Sequence, residues 1–125
     1  MYSAQLLDHF QNPRNVGDVV DPDASVEIEN PVCGDVLRLS LKLHDGRIAE
    51  IRFKAKGCVP AMACGSALTE LAQGKTLTEA RLLRRDDVIK AVGSLPNAST
   101  HAAQLALDAL SAALARVRAP DSIDS

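Results

Sequence analysis

The sequence predicts an α+β fold: a three-stranded antiparallel meander with helices packed on one face and a long C-terminal helix. Three observations predict it. Between Val26 and Ala55, apolar and polar residues alternate in three successive runs, the period of half-buried strands. From Pro60 onward the alternation gives way to helical spacing broken by capping signals. A sheet with one apolar face needs a second layer, and the helices that follow the strands supply it.

Taken in order, Ser3 to Gln11 place Leu6, Leu7 and Phe10 on one helical stripe, and Pro13 prevents continuation. Gly17, Asp21, Pro22 and Asp23 mark a loop. Val26 and Ile28 alternate with Glu27 and Glu29 as a short strand. After the turn Asn30-Pro31-Val32-Cys33-Gly34-Asp35, Leu37, Leu39, Leu41 and Leu43 alternate with Arg38, Ser40, Lys42 and His44. Asp45-Gly46 is the favoured hairpin dipeptide. The return strand sets Ala49, Ile51, Phe53 and Ala55 against Glu50, Arg52, Lys54 and Lys56.

Pro60 suits the first turn of a helix through Leu68 and Leu71 that stops at Gly74. Thr76-Leu77-Thr78-Glu79 has capping-box spacing and opens a second helix. Asp86 is expected to cap a third, through Ile89 and Val92, and Ser99 to cap the last, Thr100 to about Val117. Leu107, Leu110, Leu114 and Val117 are the expected core stripe of that last helix. This gives one domain over residues 1–118 and a disordered tail over 119–125.

Composition excludes several functions. Tyr2, Phe10 and Phe53 are the only aromatics, which leaves no platform for stacked bases. A net charge of −2 and a pI near 5.9 give no electrostatic footprint for nucleic acid or an anionic membrane. Arg81, Arg84 and Arg85 are offset by Asp86 and Asp87. No apolar run is long enough to span a bilayer, and the N-terminus lacks the pattern of a signal peptide. A cytoplasmic location follows as the expectation. In a reducing compartment the three cysteines act as metal ligands, nucleophiles or core residues rather than as disulfides.

Cys33 lies in a Cys-Gly-Asp turn between two strands, so that a thiolate and the Asp35 carboxylate are two residues apart. Cys58 follows Gly57 at the end of the third strand, just before the Pro60 helix, whose N-terminus favours the thiolate. In a meander, the start of the second strand and the end of the third share one sheet end, so Cys33, Asp35 and Cys58 converge. His101 falls in the first turn of the last helix, where positive charge is disfavoured and a neutral, ligating imidazole is expected. Cys33, Asp35, Cys58 and His101 thus form a candidate metal quartet. Cys64, mid-helix between Ala63 and Gly65, reads as a core residue, and His9 and His44 read as surface residues. A Cys58–His101 pair carrying sulfur as a persulfide is the nucleophilic alternative. No glycine-rich phosphate cradle or zinc-protease His pair supports hydrolysis.

His9-Phe10-Gln11-Asn12-Pro13-Arg14-Asn15-Val16-Gly17 resembles the N-terminal signature of the IscU/NifU scaffold proteins, and Asn30 to Asp35 resembles their first cysteine motif. Arg52-Phe53-Lys54 through Gly57-Cys58 is similar to their second cysteine site, with Thr69-Glu70 and Gly74-Lys75 continuing the match. Leu95-Pro96 followed by His101 is similar to the approach to the third, and the resemblance spans about residues 2 to 117.

The resemblance implies a scaffold, not an enzyme. It would take sulfur from a cysteine desulfurase, bind iron, hold a transient [2Fe–2S] cluster and pass it to acceptor apo-proteins. Cys33 and Cys58 are the implied cluster ligands, Asp35 a weak oxygen ligand that keeps the cluster labile, and His101 a further ligand. The same four residues would hold zinc in the cluster-free form. The chain departs from the family at Ala102, where a third cysteine is expected. Leu95-Pro96-Asn97-Ala98-Ser99 keeps only the opening Leu-Pro of the chaperone-recognition segment, which argues against Hsp70-type delivery. A homodimer around a shared cluster would supply the missing donor. Two alternatives are a zinc-dependent sulfurtransferase of the SufU branch and a diverged zinc-binding paralogue.

Overall fold

The computed structural model describes residues 2–31 and 34–117. The strands are Ala24–Glu29 (β1), Val36–His44 (β2) and Arg47–Lys56 (β3), antiparallel in the order β1-β2-β3. The register pairs Val26 with Leu39 and Leu39 with Phe53, which gathers the inward residues of all three strands on one face. Asp45 and Gly46 both adopt positive φ, 54° and 76°, the geometry of a two-residue hairpin turn.

The helices are Ala4–Gln11 (α1), Val59–Ala72 (α2), Leu77–Arg81 (α3), Arg85–Ala91 (α4) and Thr100–Arg116 (α5). α2 packs on β3 and α5, and α5 packs on β1 and β2. α2 approaches the sheet closely at Gly65, where an added Cβ would stand 2.7 Å from the Phe53 ring. Both long helices start at the same sheet end. α2 follows directly on β3, and beyond its C-terminus the Gly74 N–H returns to the Ile48 carbonyl at the hairpin end. α5 starts beside Asp35 and finishes where Arg116 donates to the Ser25 carbonyl.

Residues 15–23, expected as a plain loop, form a strap across the outer face of the sheet. Asn15 and Gly17 bond to Phe53 on the free edge of β3. Val19 is buried, with its N–H 2.9 Å from the Ser40 hydroxyl, and Asp18 pairs with Lys54 at 3.1 Å. The Asp23 N–H then meets the Leu41 carbonyl. Ahead of the strap, Ser3 caps α1 through the Leu6 N–H at 3.0 Å and donates its own hydroxyl to the Val92 carbonyl.

The capping box of Thr76 and Glu79 forms as the sequence predicts. Four other expectations are corrected. The cap residue of α4 is Arg84, not Asp86, and Asp87 accepts the Arg84 N–H at 2.8 Å. Ser99 makes no side-chain capping bond, because a 3-10 turn, Asn97–Ser99, leads directly into α5. The buried face of α5 is Ala102, Ala103, Leu105, Ala106, Ala109, Leu110, Ala113 and Leu114, while Leu107 and Val117 are only partly buried. Small alanines let α5 lie close to its neighbours, so its contact face is rotated from the leucine stripe. His9, expected at the surface, is buried between α1 and α2. The tail expected over 119–125 lies outside the described residues. Among the described residues, no helix is long and apolar enough to cross a membrane.

Candidate metal centre

The β2–β3 pairing places Val36 opposite Lys56, which brings Asp35 against Gly57 and Cys58 at the end of the sheet. There the Asp35 carboxylate is buried, at 4% exposure, and the Cys58 backbone N–H donates to its Oδ1 at 3.2 Å. A buried carboxylate needs such donors, since desolvation without them costs about 1–3 kcal/mol or more. The Cys58 thiol lies 3.1 Å from Asp35 Oδ2, and His101 Nε2 lies 3.8 Å from the same oxygen. One donor atom each from Asp35, Cys58 and His101 falls within 4.8 Å of the other two.

The local structure explains the convergence. Cys58 is the N-cap residue of α2 in extended conformation, φ −78° and ψ 164°, and its side chain makes no capping bond to its own helix. The thiol is instead directed to Asp35. Pro60 in the first turn of α2 has no N–H to satisfy at that helix start. The 3-10 turn before α5 sets His101 over the same spot, with the Thr100 hydroxyl bonded to the Asn97 carbonyl at 3.1 Å. The N-termini of α2 and α5 both face the centre, and their partial positive charge favours anionic donors there.

The donor set suits a metal ion. Tetrahedral zinc bonds of about 2.0–2.3 Å place ligand atoms roughly 3.3–3.8 Å apart. The Asp35–Cys58 and Asp35–His101 separations of 3.1 and 3.8 Å bracket that range closely. Sulfur, nitrogen and oxygen donors together match zinc or iron rather than calcium or magnesium. Beside His101, a groove of about 210 Å³ opens between Glu29 and Asp108, and His101 is the one of the three donors that lines it.

Of the four expected ligands, Asp35, Cys58 and His101 are brought together, and Cys33 lies outside the described residues. Ala102 is buried in the first turn of α5 and contributes no donor. Cys64 is fully buried in the core, as expected, and burial followed by the nearby Cys58 charge pushes its thiol up to about 12. His44 is exposed beside Asp45. Gly57, which the sequence marks only as the residue before Cys58, lies directly against Asp35.

The chain is similar to known proteins along most of its length. The family model described as "NifU-like N terminal domain" matches residues 1–122. The chain is 47% identical over 114 residues to the iron–sulfur cluster assembly scaffold protein IscU 1 of Archaeoglobus fulgidus, covering 91% of this chain and 74% of that protein. It is 41% identical over 118 residues to the iron–sulfur cluster assembly scaffold protein IscU of Escherichia coli, covering 91% of each. The fold superimposes on the N-terminal part of a NifU-like protein from Brucella abortus with a TM-score of 0.73 at 21% identity, covering 92% of both chains. With this agreement along nearly its whole described length, the chain belongs to the NifU-like N-terminal domain family.

Proposed function

We propose that this protein is an iron–sulfur cluster assembly scaffold that binds iron and sulfide, holds a transient [2Fe–2S] cluster and releases it to acceptor apo-proteins. The observation that carries the reading is the convergence of Asp35, Cys58 and His101 at one sheet end. Cys33 joins them in this reading, as the second thiolate. Thiolates hold such clusters most firmly, and the carboxylate is the weak donor that lets the cargo leave. The relatives named as scaffold proteins support a carrier rather than a catalyst. In this reading a cysteine desulfurase supplies the sulfur, and the carrier works in the cytoplasm.

The test is anaerobic reconstitution with ferrous iron, cysteine and a desulfurase, followed by absorption and Mössbauer spectroscopy. A [2Fe–2S] signal that disappears in Cys58→Ser and in Cys33→Ser supports the reading. A normal cluster in either variant, or none in the wild type, overturns it.

The mixed donor set also favours a second reading, in which the centre holds zinc and the Cys58 thiolate takes the outer sulfur of a desulfurase persulfide, whose own cysteine leaves as the thiolate. Tightly retained zinc in the purified protein, with no cluster after reconstitution, would select it.

A further inference from the structure

Gly57 separates the last residue of β3 from Cys58. Its φ is +145°, and a Cβ added there would lie 2.1 Å from Asp35 Oδ1, 2.7 Å from Asp35 Cγ and 3.1 Å from Asp35 Cα. The space that any other residue would fill with its side chain is filled here by the Asp35 carboxylate. That same Oδ1 accepts the Cys58 N–H.

We propose that Gly57 is the positioning residue of the centre: its missing side chain is the cradle that seats Asp35 between the Cys58 amide and thiol. The inference rests on the metal-binding reading above and deepens it. The cradle seats Oδ1 against the backbone and so leaves Oδ2 turned to the Cys58 thiol and His101, at 3.1 and 3.8 Å. A methyl group at position 57 cannot coexist with the carboxylate in that place. Asp35 must then swing out and take the oxygen donor with it, while Cys58 and His101, held by the starts of α2 and α5, keep theirs. Position 57 therefore controls whether the centre has an oxygen donor, although it offers no ligand atom itself.

The experiment is a double-mutant cycle in the full chain, with zinc and cobalt(II) as probes. Gly57→Ala is expected to lower zinc affinity about 10- to 100-fold, the range usual for a residue that orients a ligand. The cobalt d–d bands should shift as the oxygen donor leaves, and the thiolate-to-cobalt charge-transfer band should persist. In an Asp35→Ala background, Gly57→Ala should cost clearly less affinity and leave the spectrum unshifted, the remainder being the strain of φ +145° and the 3.1 Å approach to the residue 35 Cα. Equal losses in both backgrounds would mean that backbone strain alone is responsible, which overturns the proposal, as does an unaltered Gly57→Ala protein. If Gly57→Ala does not fold, circular dichroism of Asp35→Ala/Gly57→Ala decides. Recovery of the fold upholds the clash with Asp35, and failure to recover overturns it. Failure of the wild-type protein to bind either metal would instead sink the metal-centre reading on which the proposal rests.

Discussion

The His9 imidazole is sealed between α1 and α2 with its Nδ1 2.8 Å from the Ser66 hydroxyl. The Ser66 hydroxyl also accepts the Arg14 backbone N–H at 2.9 Å, and Glu70 stands 3.6 Å from His9 Nε2. One small polar knot thus fixes both ends of the turn that follows α1.

This knot makes stability depend on pH. Burial first, and the Arg14 charge second, hold the His9 pKa below its ordinary value of 6.5, outweighing Glu70 and Asp8, which act the other way. The unfolded chain therefore takes up the proton before the folded chain does. Stability from the neutral imidazole is full above about pH 6.5 and is lost as pH falls below it. Urea midpoints measured between pH 7.5 and 5.5 should fall for the wild type and fall less steeply for His9→Gln. Parallel slopes would show that other groups govern the response.

Gly65→Ala should destabilise the fold even though alanine favours helices. The added methyl group would meet the Phe53 ring at 2.7 Å and Leu37 at 3.1 Å. Overpacking of this kind costs about 1–3 kcal/mol, against a helix-propensity gain of roughly 1 kcal/mol. A net loss of up to about 2 kcal/mol in denaturant unfolding is expected, with part of it recovered by Phe53→Leu. A stabilised Gly65→Ala protein would show that the sheet and α2 separate at little cost.

Cys64 should be chemically silent. With its thiol at about 12 and no exposed surface, it offers almost no thiolate near neutral pH. Iodoacetamide at pH 8 should label Cys58 in the native protein and reach Cys64 only in denaturant, as read by peptide mass spectrometry. Cys64→Ala should keep the metal-binding behaviour of the wild type.

Zinc should stabilise the protein through the centre. At free zinc 100-fold above its dissociation constant, the gain is about 2.7 kcal/mol. Unfolding followed with zinc and with chelator should differ by that amount, and Cys58→Ser should abolish the difference. An equal shift in Cys58→Ser would place the zinc elsewhere.

Much of this was legible beforehand because strand period and turn chemistry are local. The alternating leucines from Leu37 to Leu43 and the Asp45-Gly46 turn specify a meander, and meander geometry alone brings Asp35 to Cys58. What escaped depends on partners distant in sequence. His9 has the polar look of a solvated flank until Ser66 and Glu70 arrive beside it. The α5 contact face is largely alanine, and alanine gives little amphipathic contrast. The strap over Ser40 shows no periodicity, because single hydrogen bonds rather than a repeating pattern hold it.

The N-terminal anchors also set an order of events during synthesis. Ser3 waits for Val92, His9 for Ser66, Asn15 for Phe53 and Thr69, and Val19 for Ser40. The segment from Ser3 to Val19 leaves the ribosome before these partners and is therefore late to find its place. Long-range contacts of this kind slow folding, since the intervening chain must be ordered before they form. Until Val92 at the end of α4 has emerged, the apolar cluster of Leu6 with Ala63 and Ala67 of α2 stays incomplete. The nascent chain must carry that incomplete cluster until Val92 is available to close it.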